Sequence, residues 1–133
     1  MREFKFRAWD GTGMFPVDTI EFPMGGTRWY GPGVGRGTVY ANPDFDWKVD
    51  SVLMQYTGLK DRDGKEIYEG DIVKLDSWEG VQQIVFIEGA FCLADKHGWY
   101  VGDIHYINHA DKNQATIIGN IWENPELLKE GTA

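Results

Sequence analysis

The chain is 133 residues long, 42% hydrophobic and 14% aromatic, and 21 acidic against 13 basic side chains give it a formal net charge of −8. That length and ring content suffice for one domain with a real core, or one small barrel plus an extension, and they exclude wholesale disorder. The acidic balance argues against a general phosphate-backbone binder, which needs surplus Lys and Arg, while leaving room for a local basic patch or a basic partner.

In chain order, residues 3–9 (Glu-Phe-Lys-Phe-Arg-Ala-Trp) alternate polar and apolar and predict a half-buried strand with Phe4, Phe6 and Ala8 inward. Asp10-Gly11-Thr12-Gly13 predicts a turn and Met14-Phe15-Pro16-Val17 a return strand. Pro16 has no amide proton to give a neighbour, so this strand is expected at an edge. Residues 23–50 combine Pro23-Met-Gly-Gly and Gly31-Pro-Gly-Val-Gly-Arg-Gly37 with Trp29, Tyr30, Tyr40, Phe45 and Trp47. Such glycine density disfavours helix and predicts an irregular excursion pinned by its aromatics, with room for a short hairpin around Thr38-Val39-Tyr40. An excursion of that length is uncommon unless it serves function or assembly.

The centre of the pattern is 53–73. β-prone residues from Leu53 to Leu59 are followed by Asp61-Arg62-Asp63-Gly64, then Glu66-Ile67-Tyr68 and Gly70-Asp71-Ile72-Val73. Asp-Gly between two such runs is a strong short-range hairpin signal. Further strands are expected at 81–88, 90–94, 99–101, 105–107 and 115–122, a spacing that fits a small barrel or compact meander. Asn124, Pro125 and Glu126 predict a helix start as N-cap, first helical residue and dipole partner, with Gly131 as the stop.

Four blocks in order, Lys5-Phe-Arg-Ala-Trp9, Met54-Gln-Tyr-Thr-Gly-Leu-Lys-Asp61, Gly64-Lys-Glu-Ile-Tyr-Glu-Gly-Asp-Ile-Val73 and Ile118-Gly-Asn-Ile-Trp-Glu-Asn-Pro-Glu-Leu-Leu128, resemble the YopX family, whose members occur largely in bacteriophages and prophages. Residues 20–50 and 95–114 carry no recognisable family pattern. The resemblance implies an SH3-like β-barrel in the C-terminal part and a cytoplasmic phage protein that assembles into homo-oligomers. It supplies no reaction and no catalytic residues. The expected fold is therefore mostly β: a β-hairpin plus Gly/aromatic-rich excursion over 1–50, and an SH3-like barrel ending in a short helix over 51–133.

Candidate chemistry is sparse. Cys92, the only cysteine, allows no intrachain disulfide and reads as a small buried hydrophobe. Asp103, His105, His109 and Asp111, with His97 upstream, carry metal-ligand donors, but strand alternation in Gly102-Asp-Ile-His-Tyr-Ile would separate the histidines, so no metal or cofactor is expected. Gly31-x-Gly-x-Gly-x-Gly37 lacks the Lys-Ser/Thr and following helix of a phosphate loop. Asp61, Asp63, Glu66, Glu69 and Asp71 read as turn and strand-start residues rather than a catalytic carboxylate pair. That leaves a non-enzymatic protein acting on a host or phage protein and on copies of itself. Trp29, Tyr30, Arg36 and Trp78 are its candidate contact residues, and Trp78 is the ring most expected to be exposed. The alternatives are a nucleic-acid-binding barrel using Arg28, Arg36 and Lys48 with the loop aromatics, and a metal-dependent enzyme using His105 and His109. No small-molecule substrate is evident, and no segment is apolar enough to span a membrane.

Overall fold

A computed structural model describes residues 3–23, 26–33, 35–39, 50–76, 78–104 and 115–129. It is mostly β and divides into two compact units, 1–55 and 56–133.

In the first unit β1 (Phe6–Trp9) pairs antiparallel with β2 (Met14–Val17) on one side and with the start of β6 (Val52–Lys60) on the other. The turn between β1 and β2 is tied by Asp10, whose Oδ1 accepts from the backbone N–H of Thr12 and of Gly13, both at 2.8 Å. Those amides, with the Thr12 hydroxyl, hold the carboxyl below its ordinary range. Pro16 lies opposite Arg7 on β2, which is the edge of its sheet. Strand edges tolerate proline because its missing N–H faces no partner. The first unit also holds β3 (Thr19–Glu21), β4 (Thr27–Tyr30) and β5 (Arg36–Val39), which pair in that order as an antiparallel sheet. The stretch expected to be irregular therefore carries two regular strands. Two of its glycines mark close approaches to backbone: a Cβ on Gly35 would lie 3.0 Å from Phe15, and one on Gly31 would run into the Pro16 carbonyl oxygen.

In the second unit β7 (Glu66–Tyr68) pairs with the latter part of β6. The turn between them closes with Asp61 N–H on the Lys65 carbonyl at 2.8 Å and Gly64 N–H on the Asp61 carbonyl at 3.0 Å. Gly64 sits at φ +85°, a conformation that side-chain-bearing residues rarely adopt. The remaining strands, β8 (Asp71–Leu75), β9 (Gln82–Ile87), β10 (Ala90–Ala94), β11 (Tyr100–Asp103) and β12 (Ala115–Asn120), form a sheet of order β11-β10-β9-β8-β12. Ile67, Val73, Leu75, Ile84, Leu93, Ile104 and Ala115 make its core, with Leu59, Trp78, Phe91 and Ile117 packed against it.

Two expectations change here. Among the described residues no sheet closes into a barrel, because β11 and β12 end the five-stranded sheet as edges instead of pairing with each other. The C-terminal helix is a single 3₁₀ turn, Pro125–Leu128. Pro125 stands at its start, but Asn124 makes no side-chain cap and its Oδ1 instead accepts from Asn120 N–H at 3.2 Å. A turn this short leaves few orphan amides to cap.

Candidate functional site

An open groove lies on the outer face of the β3-β4-β5 sheet, and it is built from the inside out. Trp29 is fully buried. Its ring lies 6.2 Å from that of Phe15, and its Nε1–H donates to the Ser51 hydroxyl at 2.7 Å. Ser51 is itself buried and donates to the Thr38 carbonyl at 3.1 Å. Gly37 lies opposite Trp29 in the β4–β5 register, where a Cβ would fall 2.6 Å from Trp29 Nε1 and 2.7 Å from Ser51 Oγ. The position therefore has room only for hydrogen.

Side chains alternate faces along a strand, so burying Trp29 turns Arg28 and Tyr30 outward. The register pairs Arg28 with Thr38 and Tyr30 with Arg36, which adds Arg36 and Thr38 to the same outer face. Asp50 closes one end, its Oδ1 accepting from Thr38 N–H at 2.7 Å. Together Arg28, Tyr30, Arg36, Gly37, Thr38 and Asp50 line an open groove of about 280 Å³. Both arginines are exposed, and among the described residues neither forms an ion pair. Glu21, opposite Arg28 on β3, supplies a carboxylate on the other flank.

The four residues singled out from the sequence are thus divided. Tyr30 and Arg36 share the groove, while Trp29 faces away beneath it and presents no ring to solvent. Trp78 is half-buried against the second core, its carbonyl taken by Lys74 Nζ at 2.7 Å. Arg28 joins Arg36 as the nucleic-acid reading supposed, while Lys48 lies outside the described residues. So do His105, His109 and Asp111. Among the described residues no three His, Cys, Asp or Glu side chains could hold a metal ion together. His97 is exposed, its backbone N–H bonded to Asp95 Oδ1 at 2.9 Å.

Two of the hairpin acids, Asp61 and Asp71, have structural tasks. Asp61 Oδ1 accepts from the N–H groups of Asp63 and Lys65 at 2.8 and 2.9 Å, and its Oδ2 accepts from Ile117 N–H at 3.0 Å. Burial raises its pKa, yet those three amides and the Lys65 charge outweigh burial and hold the carboxyl below its ordinary value. Asp71 is buried and accepts from Tyr68 N–H at 2.8 Å. Cys92 is buried, and desolvation, with the Asp103 and Glu88 carboxylates nearby, pushes its thiol pKa up. A thiol so placed is a poor nucleophile.

A family model described as YopX protein matches residues 5–129. The chain belongs to the YopX family. Among solved structures this YopX-family chain is similar to protein EF1440 from Enterococcus faecalis at 29% identity and a TM-score of 0.61, covering 97% of this chain and 100% of that one. It is also similar to protein yopX from Bacillus subtilis, at 22% identity and a TM-score of 0.57 over 94% of this chain and 98% of the other, a likeness of fold. No curated protein matches it. No helix of the described residues is long and apolar enough to cross a membrane.

Proposed function

We propose that this YopX-family protein is a non-enzymatic, phage-type accessory protein of the host cytoplasm that works through protein–protein contacts, first among them contacts between its own copies. One observation carries the reading. Trp99, Tyr100 and Val101 are 72%, 60% and 36% exposed, and they run into and along β11, an edge of the five-stranded sheet. Successive strand residues point to opposite faces, so both faces of this edge present apolar side chains. Soluble proteins usually guard an edge with charge or proline; β11 itself carries one charge, Asp103, and an edge so lightly guarded is a template for adding a strand. Two copies of the same edge pair antiparallel about a two-fold axis, which closes the assembly. The structural employment of Asp61 and Asp71 and the buried, raised-pKa thiol of Cys92 support a role without catalysis.

Light scattering across a dilution series tests the proposal. The expected result is a mass above the 15.2 kDa of one chain, lowered toward it by dilution and by Tyr100→Lys with Val101→Glu. A single-chain mass at every concentration would overturn the self-association.

A further inference from the structure

We infer that the outer face of the β3-β4-β5 sheet is a docking site for an extended acidic segment of a partner protein, with two carboxylates of that segment taken by Arg28 and Arg36. The inference rests on the reading that the protein works by protein contacts, but it uses a different unit and different residues.

Three observations carry it. The guanidiniums are exposed and without ion pairs among the described residues, in a chain of net charge −8. A planar fork of donors left unpaired is suited to bidentate capture of an oxyanion. Their spacing is also set by the register. Arg28 faces Thr38 and Arg36 faces Tyr30, so the arginines are diagonal neighbours, roughly 7–8 Å apart at Cα. In an extended segment, side chains at i and i+2 share a face and stand roughly 6.5–7 Å apart, so two carboxylates one residue apart fit the two guanidiniums. The third observation is the flanks. Glu21 lies beside Arg28 on β3 and Asp50 closes the other end of the groove. Both acids thus flank the Arg28–Thr38 row, while Arg36 stands in the next row with Tyr30, so the complement is a pair of carboxylates with cations at its ends to meet the flanking acids. Tyr30, opposite Arg36, adds a ring beside that guanidinium. A nucleic-acid strand fits this face poorly, because its charges all have one sign and its affinity grows with the number of phosphates neutralised.

The test uses the full chain and a fluorescein-labelled peptide, Lys-Thr-Glu-Thr-Glu-Thr-Lys, read by anisotropy at low salt. The expected result is saturable binding that weakens at least about tenfold when both Glu are replaced by Gln, and by a similar factor in the Arg28→Gln/Arg36→Gln variant, with single variants between. The double variant's thermal melt should match the wild type, since both side chains are exposed. Equal binding of the Glu and Gln peptides, binding undiminished in the double variant, or no binding up to about 1 mM peptide would overturn the site. An oligothymidylate that binds more tightly than the peptide and loses affinity in the same variants would replace the acidic segment with nucleic acid. The mass of the double variant is read in parallel: it is expected to keep the wild-type assembly, so failure of the groove and failure of the β11 edge are seen separately.

Discussion

Asp61 gives the most demanding test of how this fold is held. It is 6% exposed, and its two oxygens collect three backbone N–H groups, two from its own turn and one from Ile117 on β12. Hydrogen bonds to a charged acceptor contribute about 1.5–3 kcal/mol each. In Asp61→Ala the two turn amides regain most of that from water, since Asp63 and Lys65 are exposed. The Ile117 amide is different. It lies at the point where the β12–β8 register shifts, with the carboxylate as its partner. Counting about 2 kcal/mol for Ile117 and under 1 kcal/mol for each turn amide, Asp61→Ala should cost about 3–4 kcal/mol. That corresponds to a melting point lower by roughly 10–15 °C for a chain of this size. Asp61→Asn keeps one acceptor for the turn but presents an amide NH₂, or a strained alternative, to Ile117, and should cost about 2 kcal/mol. The assay is urea denaturation followed by tryptophan fluorescence.

The same residue predicts a pH dependence. The folded carboxyl titrates below its ordinary value of 3.8. Its contribution is therefore whole above the unfolded value and is lost as pH falls through the lower, folded one. The stability gap between wild type and Asp61→Asn should be flat from about pH 7 to about pH 5 and then narrow below about pH 4. A gap that stays constant down to about pH 3, or an Asp61→Ala variant within about 0.5 kcal/mol of wild type, would refute the role given to Ile117.

Further predictions follow from the same geometry. Gly37→Ala should destabilise the protein by about 2–3 kcal/mol, because its Cβ would press between Trp29 Nε1 and Ser51 Oγ; a thermal melt measures this, and adding Ser51→Gly should return part of the loss. Cys92 should resist an aromatic disulfide reagent at about pH 8 in the native protein and react once unfolded, since burial raises the thiol pKa and blocks access; rapid native labelling would contradict its placement. The Arg62–Asp76 pair, 2.8 Å apart but exposed, should contribute under about 0.5 kcal/mol in a double-mutant cycle.

What could be read in the sequence was local. The Asp63-Gly64 signal placed a hairpin turn where Gly64 does take φ +85°, and Pro16 placed β2 at an edge. Alternation around Phe6 and Ala8 found β1, though Phe4, expected inward, lies before the strand and is exposed, and the apolar runs found β9 and β10. What escaped depends on residues far apart in the chain. The Asp61 turn was legible, but its bond to Ile117 spans 56 positions and leaves no local pattern. The glycines of 31–37 read as irregularity because the rings that need them, Phe15 and Trp29, reach them only through tertiary packing. Barrel closure was misjudged for a similar reason. Strand periodicity reports which segments pair with something, not whether the last edge meets the first. Asn124 had the chemistry of a cap, but Asn120 N–H competes for its side chain and holds it.

Trp29 shows how a binding face can follow from a core contact. Its ring needs burial and its Nε1–H needs a partner, and Ser51 and the bare backbone of Gly37 satisfy both. With Trp29 inward, strand alternation leaves Arg28 and Tyr30 no direction but outward, and the β4–β5 register brings Arg36 and Thr38 to the same side. A one-residue slip of β4 would bury Arg28 unpaired and expel the indole, a change that costs several kcal/mol. The arginine spacing that selects an acidic segment is therefore set by the packing beneath it. Substitutions at Gly37 or Ser51, which present no charge to the groove, should then weaken peptide binding only in proportion to the folded protein they remove, whereas those at Arg28 and Arg36 should weaken it with the fold intact.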